Sequence, residues 1–134
     1  MSVFKSPDEM EGVFVALFDK LQQTPAATRG LQQSRLVVRL RCLNPALSVT
    51  VDARRNPVQV SYNQPIPRPH LDIELAALTL HQILLGQLSL TKALGQKKLK
   101  VEGPLMKAML MADLFHQGRA IYPAILADYD VEGS

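Results

Sequence analysis

Apolar residues first recur at helical spacing near the start of the chain, every three or four positions from Met10 to Leu21, with charged residues between them. The run opens with SPDE, in which Ser6 is followed by proline and, three positions on, by glutamate. This is the arrangement of a capping box. The pattern predicts an amphipathic helix from Ser6 that ends before Pro25, and a loop over the next segment, TPAATRGLQQ.

From Ser34 the spacing of apolar residues changes to two. The segments SRLVVRLRCL, ALSVTVDA and PVQVSY each alternate apolar and polar residues, which is typical of strands with one buried face. The turn-forming pair Asn44 and Pro45 and the segment RRNP separate them, so an antiparallel meander is predicted. NQPIPRP has three prolines and is expected to be an extended connection. HLDIEL alternates again and is predicted to be a fourth strand.

The second half of the chain combines short helices with one further strand. AALTLHQILLG and SLTKALGQ predict two helices joined at Gly86, with Ser89 as the N-cap of the second. KLKVE predicts a fifth strand, and LMKAMLMADLF, bounded by glycines, predicts a longer helix. The tail is interrupted by Pro123, and residues 128–134 are expected to be loose.

This order of elements predicts an α+β fold, with a five-stranded, mostly antiparallel sheet covered by helices on one face. The 134 residues are expected to form a single domain, 1–134, whose core needs no disulfide or metal. No apolar run reaches the roughly twenty residues of a membrane span, and the N-terminus lacks the layout of a signal peptide. With Cys42 as the single cysteine, a cytoplasmic location is expected.

Catalytic motifs are absent from the sequence. It has no G-x-S-x-G elbow, no phosphate-binding glycine loop and no pair of histidines at metal-ligand spacing. His70, His81 and His116 are scattered, and Cys42 alternates with core residues. We therefore expect no enzyme activity, no catalytic residue, no metal site and no cofactor.

The net charge of +3 comes partly from two basic segments, Arg35 to Arg41 and Lys97 to Lys100. Proteins that bind single-stranded nucleic acid interleave such charges with aromatic residues for base stacking, and neither segment has one. A solvated sheet face is the favoured interpretation, and no nucleic-acid partner is expected. Weak contact with an anionic membrane surface is the functional alternative.

Apolar residues surround almost the whole circumference of the predicted helix LMKAMLMADLF, which also carries three methionines. Surface helices usually have a single apolar stripe. The helix could lie between the sheet and the first helix as ordinary core. Alternatively, one side could face a cavity for an aliphatic ligand, where flexible methionine suits a variable guest. The residues alone leave both interpretations open.

The segment LHQILLGQLSLTKALGQKKLKVEGPLMKAM resembles the sterol carrier protein type-two family of small lipid-binding domains. The resemblance is carried by Gly86, Gln87, Leu88, Ala93, Lys98, Leu99, Lys100, Val101 and Gly103. There are two departures: Lys97 stands where the family usually has glycine, and Pro104 stands where it usually has an acidic residue.

The resemblance implies a hydrophobic tunnel, enclosed by the sheet and the helices, that binds and transfers fatty acids, acyl thioesters, phospholipids or sterols without catalysis. The residues expected to line it are Phe14, Phe18, Leu80, Leu84, Leu88, Met106, Met109, Leu110 and Leu114. The alternative function is an accessory module whose apolar groove docks a partner protein or a second copy of the chain, so a homodimer is left open.

Overall fold

The computed structural model describes residues 3–65 and 68–129. Within these ranges the chain forms six helices and five strands. In chain order they are α1 (Pro7–Gln22), α2 (Pro25–Ser34), β1 (Val37–Leu43), β2 (Leu47–Asp52), β3 (Gln59–Tyr62), β4 (Leu71–Ala76), α3 (Ala77–Leu84), α4 (Leu90–Gly95), β5 (Leu99–Glu102), α5 (Leu105–Gly118) and α6 (Tyr122–Asp128).

The strands form one sheet in the order β3-β2-β1-β4-β5. The predicted meander is confirmed, since β1 pairs with β2 and β2 with β3 in antiparallel orientation. β4 pairs antiparallel with β5 but parallel with β1. The sheet is therefore mixed and mostly antiparallel, and the predicted α+β fold class is confirmed.

The two faces of the sheet differ in character because side chains alternate along each strand. On β1, Val38 and Leu40 are buried, whereas Arg39 and Arg41 between them are only half-buried. The apolar face packs against the helices in one continuous core. The residues it contributes include Val38, Leu40, Cys42, Leu47, Val49, Val51, Leu71, Ile73, Leu75 and Leu99.

Helix α1 begins where the capping signal predicts. The Ser6 hydroxyl accepts a hydrogen bond from the Glu9 amide at 3.1 Å. The Glu9 carboxylate in turn accepts one from the Lys5 amide at 2.9 Å, one residue earlier than in the usual capping box. Both bonds satisfy amide groups near the start of the helix. Buried side chains such as Phe14 and Leu17 pack α1 against the core.

The loop predicted over TPAATRGLQQ is wrong, because Pro25–Ser34 forms helix α2. Ala27 and Leu31, one turn apart, are buried on its inner side, and Gly30 lies against Leu110 of α5. Such a short apolar side gives a weak sequence signal. The helix is stabilised by its contacts with α1 and α5.

Pro123 is the second residue of α6 and lies in its first turn, where proline is compatible with a helix, so it does not interrupt the tail. Of the tail expected to be loose, Asp128 ends α6, Tyr129 lies against Gly12 of α1, and residues 130–134 lie outside the described residues.

Within 3–65 and 68–129, no helix is both long and apolar enough to cross a bilayer.

Candidate functional site

A small apolar pocket lies between α4, α5 and the β4–β5 edge of the sheet. We call it the α4–α5 pocket. It is lined by Ile73, Leu90, Thr91, Leu94, Leu99, Val101, Leu105, Ala108 and Met109. All of these residues except Thr91 are apolar, and the Thr91 hydroxyl donates to the Met109 sulfur at 4.0 Å, from α4 to α5. The pocket has a volume of about 10 Å³, which is about what one water molecule requires.

Local backbone geometry positions the two helices around this pocket. The Ser89 hydroxyl caps α4 by accepting from the Lys92 amide at 3.0 Å. Lys97, before β5, has a left-handed backbone with φ of 60°, a conformation that glycine adopts most easily. Gly103, before α5, has a φ of 121°, and a Cβ there would overlap the His70 carbonyl oxygen.

The surroundings of α5 explain why this helix is apolar on nearly every side. Residues such as Ala108 and Met111 are buried in the core, Met109 reaches the α4–α5 pocket, and Leu110 lies against α2 at Gly30. The first turns also expose apolar side chains: Leu105 is 52% exposed, Met106 85% and Met109 43%, although Leu105 and Met109 also line the pocket. The N-terminal end has no side-chain cap, so the wall of the pocket is held chiefly by apolar contacts.

The structure distributes the predicted lining residues over several places. Five of them are buried in the main core: Phe14, Phe18, Leu80, Leu84 and Leu114. Met109 lines the α4–α5 pocket, Leu110 faces α2, and Met106 points into solvent. Leu88 lines a second cavity, between α3, α4 and α5. Contact of these residues with a ligand stays a prediction.

Sequence reasoning missed most of the residues that line the α4–α5 pocket, although their pattern was visible. Leu90 and Leu94 lie one turn apart on α4, and Leu99 and Val101 alternate along β5. Both patterns place two apolar side chains on the same side of a short element. Only the packing of α4 against α5 shows that these sides face each other.

A second cavity lies further along α5, between α3, α4 and α5. We call it the α3–α5 cleft, and its volume is about 130 Å³. Its lining consists of Ile83, Leu88, Ser89, Leu90, Ala112, Phe115, His116 and Arg119. Leu90 is also part of the α4–α5 pocket, so its side chain separates the two spaces.

Arg39 and Arg41, on the open face of the sheet, are paired with acidic residues of β4. Both guanidinium groups donate to Asp72, with Arg41 Nε at 3.0 Å, and Arg41 also lies 3.4 Å from Glu74. Burial raises the pKa of Asp72, but the hydrogen bonds from both arginines outweigh this effect and leave the pKa below its usual value. These arginines are therefore largely neutralised within the sheet.

Other chemically interesting side chains are enclosed by the core. Cys42 is buried, and burial raises the pKa of its thiol to about 12, so the reactive thiolate is disfavoured. The His81 ring lies 2.8 Å from the Tyr122 hydroxyl in an aromatic cluster with Phe4 and Phe14. In the described part of the chain, no three histidine, cysteine or acidic side chains come together as metal ligands would.

Solved structures of sterol carrier proteins share this fold. The sterol carrier protein domain 2 of Helicoverpa armigera has a TM-score of 0.61 at 20% identity, over 81% of this chain and 89% of that one. Sterol carrier protein 2 of Yarrowia lipolytica has a TM-score of 0.58 at 17% identity, over 72% and 79%. Palmitated SCP2L2 of Aedes aegypti has a TM-score of 0.61 at 17% identity, over 79% and 93%.

A search among curated proteins found no match to this sequence. Comparison with known protein families, however, matches residues 16–116 to the SCP-2 sterol transfer family. The match extends from α1 into α5 and so includes the whole sheet and the α4–α5 pocket. The chain therefore belongs to the SCP-2 sterol transfer family.

Proposed function

We propose that the protein binds aliphatic lipids and transfers them without catalysis, with the acyl chain entering the α4–α5 pocket. The observation that carries the proposal is the apolar lining of this pocket. The first turns of α5, which cover the pocket, also expose apolar side chains to solvent. Membership of the family supports lipid binding or transfer in general. Fatty acids, acyl thioesters, phospholipids and sterols are all candidate ligands.

The pocket must open to accept such a ligand. Its volume is about 10 Å³, whereas small-molecule sites usually have about 300–1,000 Å³. The first turns of α5 are the wall best suited to move, because they lack a side-chain cap and already expose Leu105 and Met106. Movement of these turns away from α4 would replace contacts between apolar side chains with contacts to an apolar ligand.

The energy of such an exchange is sufficient for binding. Burial of a methylene group contributes about 0.8 kcal/mol, so ten methylenes would contribute about 8 kcal/mol. This corresponds to a micromolar Kd before the cost of ordering the ligand and α5 is subtracted. The palmitated state of the Aedes aegypti protein is consistent with an acyl ligand in this fold.

Tryptophan substitutions at two neighbouring methionines test the location of the site. Met109 lines the pocket, whereas Met106 points into solvent. We expect Met109→Trp to fill the space of the acyl chain and abolish displacement of a fluorescent fatty acid by unlabelled lipid, with a stability within about 1 kcal/mol of the parent. Met106→Trp is the matched control and should bind as the parent does.

Two results would contradict this location. If Met109→Trp lost about 1–3 kcal/mol of stability, as overpacking of a rigid core does, and still bound lipid normally, the pocket would be ordinary core. If no lipid class bound the parent at all, lipid transfer itself would be excluded. The exposed apolar patch of Leu105 and Met106 would then favour the alternative function, docking of a partner protein or of a second copy as a homodimer.

We further propose that the protein is cytoplasmic, contacts anionic membranes through exposed lysines and does not bind nucleic acid. Arg39 and Arg41 are occupied by Asp72, whereas Lys97, Lys98 and Lys100 are exposed and form no ion pair with the described residues. Vesicle binding that weakens with salt, and is reduced by replacing the lysines with glutamine, is expected. Tight binding to single-stranded nucleic acid would contradict the proposal.

A further inference from the structure

The α3–α5 cleft differs from the α4–α5 pocket because it combines an apolar floor with polar groups. The floor is formed by side chains such as Ile83, Leu90 and Phe115, and the polar groups are Ser89, His116 and Arg119. Hydroxyl, imidazole and guanidinium groups can all donate hydrogen bonds, and the guanidinium is always positively charged. An apolar floor beside such donors suits the region where an acyl chain meets an anionic head group.

Arg119 is available for such a head group. In the described part of the chain its guanidinium forms no hydrogen bond or ion pair, and the lining of the cleft contains no carboxylate. The acidic residue of α5, Asp113, is exposed and lies outside the lining. The guanidinium lies over Gly86, where any Cβ would overlap it. The glycine thus leaves space for the arginine beside the cleft.

The cleft continues the α4–α5 pocket along one side of α5. Leu105, Ala108 and Met109 line the pocket, and Ala112, His116 and Arg119 line the cleft one to three turns further on. These residues recur at the three- and four-residue spacing of a single helix side. From position 105 to 119 the side is about 21 Å long at 1.5 Å per residue, comparable with an extended long acyl chain. Leu90 of α4 stands between the two spaces.

From this arrangement we infer that the ligand is a single-chain amphiphile with an anionic head group. The inference rests on the proposed lipid-binding function. The acyl chain lies in the α4–α5 pocket and passes Leu90, and the head group binds Arg119, with His116 and Ser89 as further donors. A carboxylate and a phosphate monoester share this chemistry, and a neutral head group would leave the arginine without a partner.

Competition between ligands of equal chain length tests the inference. Palmitic acid, hexadecyl phosphate and the neutral hexadecan-1-ol would each displace Nile red, an uncharged probe, from the parent and from Arg119→Gln. A charged hydrogen bond corresponds to about a ten- to hundred-fold difference in Kd. We expect the parent to bind the two anions more tightly than the alcohol by this factor, and Arg119→Gln to lose the preference while its Kd for the alcohol is unchanged.

Two further variants separate a head-group contact from a structural role of Arg119. Lys107→Gln removes an exposed positive charge from α5 outside both linings and should keep the preference for anions. Arg119→Lys retains the positive charge and should keep most of the preference for anions. If Arg119→Gln fails to fold, the affinities of the parent and of Arg119→Lys for anion and alcohol still decide whether the site prefers an anionic head group.

Equal affinity of the parent for anion and alcohol would overturn the inference and leave lipid binding intact. The same holds if Arg119→Gln kept the preference. A preference for hexadecyl phosphate over palmitic acid, or the reverse, would identify which anion the cleft accepts. Failure of all three ligands to displace Nile red would overturn the inference, and failure of phospholipids and sterols to bind as well would overturn the proposed function.

Discussion

The phenol oxygen of Tyr122 lies 2.8 Å from Nδ1 of His81, and both side chains are buried in the core. The aromatic neighbours of the pair are Phe4 and Phe14. This hydrogen bond joins α3 to α6 and satisfies two polar groups that the core would otherwise leave without a partner. Because the imidazole of His81 is titratable and its pKa differs between the folded and unfolded chain, the pair links the stability of the fold to pH.

Burial lowers the pKa of His81 below the ordinary value of 6.5. The unfolded chain therefore binds a proton at a pH where the folded protein does not, and stability rises with pH in this range. We expect the full contribution above pH 6.5 and its progressive loss as the pH falls below that value. Urea midpoints measured at about pH 7.5 and about pH 5.5 would show the difference.

Other groups titrate in acid, so a variant is needed to assign the effect. His81→Gln should reduce the pH dependence of the urea midpoint between these two values. The carboxyl groups of Asp52 and Asp72 have pKa values below the usual 3.8, and their contributions are lost at lower pH. An unchanged pH dependence in His81→Gln would contradict the assignment.

Asp72 is expected to matter more for stability than Asp52, although each contacts two arginines. Asp72 is buried and binds the half-buried pair Arg39 and Arg41, so Asp72→Ala leaves Arg39 without the acceptor of its ion pair and removes one of the two carboxylates that Arg41 contacts. A loss of about 1–3 kcal/mol is expected. Asp52 pairs with Arg54 and Arg55, which are exposed, and Asp52→Ala should change the urea midpoint little. Equal effects would contradict this ranking.

Gly103→Ala is expected to be strongly destabilising, because φ of 121° disfavours any side chain and the Cβ would overlap the His70 carbonyl oxygen. A loss of more than about 2 kcal/mol is expected. Gly95→Ala is the matched control, since no atom lies within 4 Å of its Cβ position and its φ is not positive. It should be neutral or stabilising by up to about 1 kcal/mol. Thermal midpoints of both variants would be compared with the parent.

Local sequence patterns predicted most of the fold because each of those elements has its own signal. The alternation of β1 and β2 and the capping of α1 require only short-range interactions. Two features depended on the rest of the molecule. The helix α2 has only Ala27 and Leu31 on its buried side, so its stability comes from neighbours. The parallel pairing of β1 with β4 depends on where the connection after β3 returns the chain, which alternation does not encode.

The candidate site was harder to predict than the fold because α5 is apolar on nearly all sides. A helical wheel of such a sequence does not show which side faces the core, α2 or α4. Met109 and Met106 look equivalent in the sequence, yet only Met109 reaches the pocket. Arg119 lies just after the apolar run, and its guanidinium lies beside the cleft next to Gly86, in a distant part of the chain. These contacts are tertiary and leave no local signal.

Leu90 separates the α4–α5 pocket from the α3–α5 cleft, so its removal should connect them. Leu90→Ala deletes a buried side chain and should cost about 2–5 kcal/mol of stability in the absence of ligand. If the acyl chain has to displace this side chain in the parent, the variant should bind palmitic acid more tightly. The ligand should then recover part of the lost stability, because binding to the folded state raises its free energy of unfolding.

Leu47→Ala is the control for Leu90→Ala. Leu47 is equally apolar and buried but lies in β2, outside both cavities. Its removal should lower stability by a similar amount without raising the affinity for palmitic acid. Urea midpoints with and without ligand, together with Kd values for both variants, give the comparison. If Leu90→Ala binds palmitic acid no better than Leu47→Ala does, Leu90 is an ordinary core residue and the acyl chain does not pass between α4 and α5.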